Sequence, residues 1–329
     1  MCTAVGLNDS DFYFGRTLDY PHSYQEEVTI VPGRYALPFR NSCSMKSHYA
    51  ILGMAWTPEE YPLLYDGINE KGLAMAGLNF VGNACYSDPM PGRDNVAHFE
   101  LIPWILGQCA DLEEARRCLK SVCITSQAYR EDIPCAWLHW IIADGTGSIT
   151  VESTHEGIYV YDNPVGVLTN NPQFPYHMEY LNQYLGLSVR EPESTFAKDL
   201  RLKPDSHGMG ALGLPGDYSS RSRFVRTAFL AHNSIHAQTE GERVHQFFHI
   251  LGAVEQPKGS CVWNDGSLEH TVYTSCCNAT QGIYYYTTYN NRRITGIKLT
   301  DHDLGGSFLI RYPLQTTPCI SFQKITDPR

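Results

Sequence analysis

The chain lacks what would tie it to a membrane, to nucleic acid or to a structural metal. No apolar run approaches the roughly 20 residues that cross a bilayer. The start shows no basic patch followed by an apolar segment, the pattern of an export signal, so the expectation is a soluble cytoplasmic protein with no membrane partner. Lys and Arg number 25 against 35 Asp and Glu, a formal net charge of -10, and the densest basic stretches are only Arg292-Arg293 and Arg221-Ser222-Arg223. Phosphate binding needs a concentrated basic surface, so nucleic acid is not an expected partner. Cys-x2-Cys is absent although there are 11 cysteines, which argues against zinc-ribbon geometry, and no metal site is expected. An odd count with no export signal points to reduced thiols. Repeats, low-complexity tracts and linkers are missing too, so the expectation is one domain over residues 1–329.

What is present suits a globular protein with a sizeable core. Hydrophobic residues make up 43% of the chain and charged residues 18%, a balance that argues against extended disorder. The most unusual chemistry lies at Met1-Cys2-Thr3. The small side chain at position 2 permits loss of the initiator methionine, and Cys2 then carries a thiol and a free α-amine on adjacent atoms. An α-amine has a reference pKa of roughly 7.7 to 8.0, so near neutrality it can accept the thiol proton directly or through water. Taken alone, Cys2 reads better as a small buried residue opening a strand. Lipid attachment would need an apolar signal before it.

Small and apolar residues to Leu7, a turn at Asn8-Asp9-Ser10-Asp11 and the aromatic run from Phe12 predict a hairpin. Its second strand returns Arg16 and Asp19 toward Cys2, where a guanidinium favours thiolate and a carboxylate fixes an amine. Strict alternation places the two on opposite faces, so a bulge or a strand end is needed if both are to serve Cys2. Strands are expected at 28–31, 49–56 and 73–80, the last ending in Asn79. That amide is either satisfied by local backbone or held as a donor toward a ligand. Asp111 caps a helix over 112–119 with early acids and late bases. A hairpin turns at Asp144-Gly145, and strands follow at 158–161 and 165–170. The last of these delivers a second amide, Asn170, to a sheet edge.

Gly208-Met209-Gly210-Ala211-Leu212-Gly213 matches a dinucleotide fingerprint in form only, because Pro204 stands where the preceding strand belongs and Pro215-Gly216 breaks the following helix. Helical spacing recurs over 222–235, with Arg223 in the first turn. A capping box at Thr239 and Glu242 starts another helix with inner face Val244, Phe247, Phe248 and Leu251. Strands return at 271–275, 282–289, 294–299 and 307–310. Strands, then helices, then strands indicate an α+β fold.

Together, Met1-Cys2-Thr3, Phe14-Gly15-Arg16-Thr17-Leu18-Asp19, Asn69-Glu70-Lys71-Gly72-Leu73 with Ala76-Gly77-Leu78-Asn79-Phe80, Gly166-Val167-Leu168-Thr169-Asn170-Asn171-Pro172, and Leu214-Pro215-Gly216-Asp217 with Ser222-Arg223-Phe224 resemble the choloylglycine hydrolase family. That family includes bile salt hydrolases and penicillin V acylases. The resemblance spans nearly the whole chain and keeps family order. It implies a four-layer αββα sandwich of the N-terminal nucleophile hydrolase type, a homotetramer and no cofactor. Carried over residue by residue, it makes Cys2 the nucleophile and its amine the base. Arg16 and Asp19 hold the terminus, Asn79 and Asn170 stabilise an oxyanion, and Arg223 completes the site. The implied substrate is a conjugated bile acid, cut through a thioester. Leu18, Tyr24, Tyr129 and Ile133 are expected to line an apolar cleft. Cleavage of penicillin V or other N-acyl amides, or a catalytically silent bile-acid or lipid binding module, are the competing readings.

Overall fold

In the computed structural model, which describes residues 1–235 and 237–323, the expected hairpin opens the chain. Strands β1 (Cys2–Asp9) and β2 (Asp11–Tyr20) turn at Ser10, whose φ is 54°. They pair without interruption from Asp9 opposite Asp11 to Cys2 opposite Leu18. A meander follows of β3 (Glu27–Val31), β4 (Ile51–Trp56), β5 (Leu63–Asn69) and β6 (Ala74–Asn79). Asp66, Gly67 and Asn69 interrupt the apolar pattern of β5, which hides it in the sequence. β7 (Asp94–Ala97) and β8 (Val122–Thr125), also not expected, form a short parallel pair around α1 (Leu101–Gln108) and α2 (Leu112–Leu119). Asp111 caps α2 as expected, accepting from Glu114 N at 2.8 Å.

β9 (Leu138–Asp144), β10 (Gly147–Thr154) and β11 (Gly157–Asp162) continue the chain. β12 is only Val167–Leu168, shorter than the expected 165–170, because Asn170 leaves the ladder for side-chain partners. Helix α3 (Phe174–Leu181) precedes the 208–213 stretch, which is a loop with one short turn, as the flanking Pro204 and Pro215 lead one to expect. Helices α4 (Ser220–Asn233) and α5 (Glu240–Gly252) come next, the latter with the expected Thr239–Glu242 capping box. The buried face of α5 is Val244, Phe247, Ile250 and Leu251; Ile250 takes the place expected for Phe248, which packs at the margin. β13 (Cys261–Val262), β14 (Leu268–Asn278), β15 (Ile283–Thr288), β16 (Thr295–Lys298) and β17 (Ile310–Pro313) complete it, β17 beginning where the expected 307–310 strand was to end.

The first sheet runs β12-β1-β2-β14-β15-β16, with β13 on β14, and the second runs β11-β10-β9-β6-β5-β4-β3-β17. They stack face to face. α4 and α5 cover the outside of the first, and α1 and α2 the outside of the second, giving the αββα order. Side chains alternate across a strand, so Cys2, Ala4, Arg16 and Leu18 share the inner face toward the second sheet. Gly6, on that face, lies where an added Cβ would sit 3.8 Å from Ala143 of β9. Thr3, Thr17 and Asp19 share the outer face toward the helices. Gly15 shows how tight that face is, since a Cβ there would fall 2.0 Å from Ser275 O and 2.9 Å from Phe247 of α5.

Candidate active site

The register of the β1–β2 hairpin puts Leu18 directly opposite Cys2 and the chain start opposite Asp19. Arg16 and Asp19 do lie on opposite faces. No bulge in β2 joins them; a strand end does, because Asp19 pairs with the residue in front of Cys2. The register shift is instead on the neighbour β14, between Thr271 and Tyr273.

Cys2 is 4% exposed. Its backbone N donates to Asn170 Oδ1 at 2.9 Å, and the same oxygen accepts from Arg223 Nη2 at 2.6 Å. Arg223 Nη1 also donates to Cys2 O and to Thr3 Oγ1, while its Nε holds Tyr218 O at 2.9 Å. α4 therefore delivers, one turn from its Ser219 cap, a guanidinium that locks the first residues of β1. Burial pulls the Arg223 pKa below the ordinary guanidinium value, against the pull of Asp19, Cys2 and Glu269.

Arg16 is also fully buried. It donates to three backbone carbonyls, Thr17 O at 3.2 Å, Tyr65 O at 3.2 Å and Gly77 O at 2.6 Å. Burial works against its charge, but the Cys2 thiol, Tyr273, Asp66 and Asp19 outweigh it and hold the pKa above the ordinary value. Asp66 takes two tyrosine hydroxyls, Tyr273 and Tyr284, each at 2.6 Å, and burial raises its pKa. Among the described residues, neither Arg16 nor Arg223 has a carboxylate within ion-pair distance. Asp19 accepts from Thr271 Oγ1 at 2.6 Å and Thr17 Oγ1 at 3.1 Å. Its pKa is raised by burial, and the amino terminus, Arg223 and the Thr271 bond oppose the rise.

Asn79 ends β6 beside Asn170, whose Nδ2 donates to Asn79 O at 2.8 Å. A carboxamide nitrogen carries two N–H groups, so Asn170 keeps one spare. Among the described residues the Asn79 carboxamide has no hydrogen-bond partner. Both amides thus have donors free at the edge of the inner face.

Several supports of this arrangement are silent in the sequence. His177 Nε2 meets Asn170 O at 2.8 Å, and Ser220 Oγ accepts from Asn170 N at 2.8 Å. His139 Nε2 meets Thr169 O at 2.8 Å with Glu152 at its other nitrogen. Glu269, 1% exposed at the start of β14, pairs with the amino terminus. A carboxylate beside an expected strand at 271–275 was the only signal for it. The histidines gave none, since a histidine in an apolar run is ordinary.

Of the expected lining residues, Leu18 is buried opposite Cys2. Tyr24, 39% exposed, joins an aromatic group with Tyr20, His22 and Trp56, and Tyr20 meets Trp263. Tyr129 belongs to a different group with Tyr61 and Phe99, and Ile133 closes a bridge with Arg130 nearby in the chain. Among the described residues, no hydrogen bond or ring contact links Tyr129 or Ile133 to Cys2. No group of three or more His, Cys, Asp or Glu there is placed to hold a metal ion, and no helix is long and apolar enough to cross a membrane.

An αββα stack with a cysteine opening a strand of an inner sheet, its backbone nitrogen held by an asparagine side chain, defines the N-terminal nucleophile hydrolase class. Comparison with known proteins narrows it. The family model of linear amide C–N hydrolases, choloylglycine hydrolase family, matches residues 2–315. A bile salt hydrolase/transferase of Lactiplantibacillus plantarum is 48% identical over 316 residues, covering 96% of this chain and 98% of that protein. A crystal structure of a mutant conjugated bile acid hydrolase from Clostridium perfringens superposes with a TM-score of 0.91 at 36% identity, covering 98% and 100% of the two chains. A penicillin V acylase from Agrobacterium tumefaciens, at 20% identity and a TM-score of 0.76 over 96% and 92%, shares the fold. The chain belongs to the choloylglycine hydrolase family, and it is an amide C–N hydrolase.

Proposed function

We propose that the mature chain begins at Cys2 and cleaves the amide of glycine- or taurine-conjugated bile acids. One observation carries the mechanism: Arg16 and Arg223 are fully buried, lack a carboxylate in ion-pair range among the described residues, and converge on Cys2. Buried charges are normally paired. Two guanidiniums held off direct ion-pair contact beside Cys2 suit the negative charge of a thiolate or a tetrahedral oxyanion. The bile acid half of the reading is supported by the relatives' names.

The Cys2 thiol attacks the amide carbon while its proton passes to the Cys2 amine. The N–H groups of Asn79 and Asn170 stabilise the oxyanion, each such donor being worth roughly 2.7 to 4 kcal/mol of barrier. The C–N bond then breaks as the amine nitrogen takes that proton, and glycine or taurine leaves. Water adds to the thioester, the C–S bond breaks and the bile acid departs. Asp19 and the Asn170 oxygen hold the amine. Leu18, Tyr24, Tyr129 and Ile133 line the apolar steroid cleft. The whole chain, 1–329 before Met1 is lost, forms one domain and acts as a homotetramer in the cytoplasm, with no organic cofactor.

Parallel assays of glycine release from glycocholate and phenoxyacetate release from penicillin V test this. Rapid glycine release with little phenoxyacetate is the expected result. Negligible glycine release removes glycine-conjugated bile salts as substrate, and inertness toward both leaves another N-acyl amide as substrate or a binding module.

A further inference from the structure

The residue in front of Cys2 is built into the sheet as firmly as those that follow. Met1 continues the β1–β2 ladder opposite Asp19: its ammonium donates to Asp19 O at 2.6 Å, and Asp19 N–H donates to Met1 O at 2.9 Å. The same ammonium forms an ion pair with Glu269 Oε1. Trp263 Nε1 donates to the other oxygen of Glu269, fixing its carboxylate. Glu269 is 1% exposed.

If Met1 is removed, as the reading above requires, three neighbouring groups lose their partners together. Asp19 N–H loses an acceptor, Asp19 O loses a donor, and the buried Glu269 oxygen loses its cation. A buried carboxylate stripped of its counter-charge is the most unfavourable of the three. The new Cys2 amine keeps Asn170 Oδ1, to which the peptide N–H donates at 2.9 Å, and stands one residue short of the place of the Met1 ammonium. The vacated groups were arranged around an ammonium and a carbonyl oxygen borne on one carbon, which is the outline of an α-amino acid. The Met1 side chain is 29% exposed, so the space opens to solvent.

We propose that excision of Met1 creates an α-amino-acid subsite beside Cys2. The ammonium of the free amino acid sits between Asp19 O and Glu269, and its carboxylate accepts from Asp19 N–H. Glycine, the amine released in the proposed reaction, has this outline. N-acetylglycine keeps the carboxylate but has no ammonium for Glu269.

The test is calorimetric titration of the purified chain, with its mass recorded first. Glycine binds, N-acetylglycine binds at least about tenfold more weakly, and Glu269→Gln weakens glycine by about tenfold, the loss expected for one charged hydrogen bond. Equal binding of the two ligands by a chain lacking Met1 overturns the subsite, and so does undiminished glycine binding by a folded Glu269→Gln variant. No glycine binding by the chain lacking Met1 overturns it as well, while leaving the hydrolase reading intact. A mass that includes Met1 overturns excision and the subsite together. If Glu269→Gln fails to fold, the two ligands on the unaltered chain still decide the matter.

Discussion

Asn69 and Asn79 end consecutive strands ten residues apart, and they are satisfied in opposite ways. Asn69, packed against α1, uses its whole carboxamide: Nδ2 donates to Leu106 O and Cys109 O, each at 2.8 Å, and Oδ1 accepts from Lys71 N and Leu73 N. Asn79, at the Cys2 edge, has no side-chain partner among the described residues. The same contrast extends to the regions around them. The layer between the second sheet and α1/α2 is dominated by Val, Ile, Leu and Met. The Cys2 region buries Arg16, Asp19, Asn170, Arg223, Glu269 and Thr271. One region is filled to hold the fold, and the other buries charged groups and keeps unused donors at a cost in stability.

Substitutions in the two regions should therefore fail differently. The largest effect is expected for Cys2→Ser, which abolishes turnover almost completely and leaves the thermal transition near that of the parent. Retention of most of the rate removes the nucleophile assignment. Next, Arg223→Met exchanges a buried, carboxylate-free cation for an apolar chain. The change leaves the acceptors Cys2 O, Thr3 Oγ1, Asn170 Oδ1 and Tyr218 O without their donor, so stability falls by about 1 to 3 kcal/mol, while activity falls by about 100-fold through loss of the groups that lock Cys2 and Asn170. Leu106→Ala, fully buried in α1, is the mirror case: stability drops by about 2 to 5 kcal/mol and kcat stays the same. Paired denaturant melts and steady-state rates check both. Equal loss of activity in the two variants would erase the distinction.

A smaller effect uses one histidine from each region. Burial lowers His177, under Asn170, and His98, beside Tyr86 and Cys135, to about 4 each. Below the ordinary value near 6.5 the unfolded chain takes up a proton that the folded chain refuses until about 4. Stability is therefore lost as pH falls through that window, by about 3 kcal/mol per histidine. His177→Gln and His98→Gln should each flatten the slope of stability between pH 6.5 and 4, and only His177→Gln should also slow turnover. The smallest effect is Thr239→Ala, which removes the α5 cap at about 1 kcal/mol without touching the rate.

The two regions also differ in how far the sequence discloses them. Periodicity and caps located α2, α4 and α5, and turn residues located the first hairpin, because burial of an apolar face is written in spacing. β5 escaped, since Asp66, Gly67 and Asn69 break its pattern and are accommodated only by tertiary partners, the tyrosines on Asp66 and the α1 carbonyls on Asn69. Around Cys2, residue types alone could not separate Asn79 as ligand donor from Asn79 as backbone glue. Family resemblance suggested the roles, and the coordinates supply the contacts. Glu269 and His177 stayed hidden, as their partners lie 268 and 7 residues away in the chain and carry no local signature.

The central claim is that the working nucleophile bears a free α-amine. Intact-mass measurement of the purified, active enzyme tests it most directly. A mass lower than that of the full chain by one methionine residue is the predicted result, together with a bile-acyl adduct on Cys2 after brief exposure to glycocholate. Full activity in a chain that still carries Met1 would contradict the account.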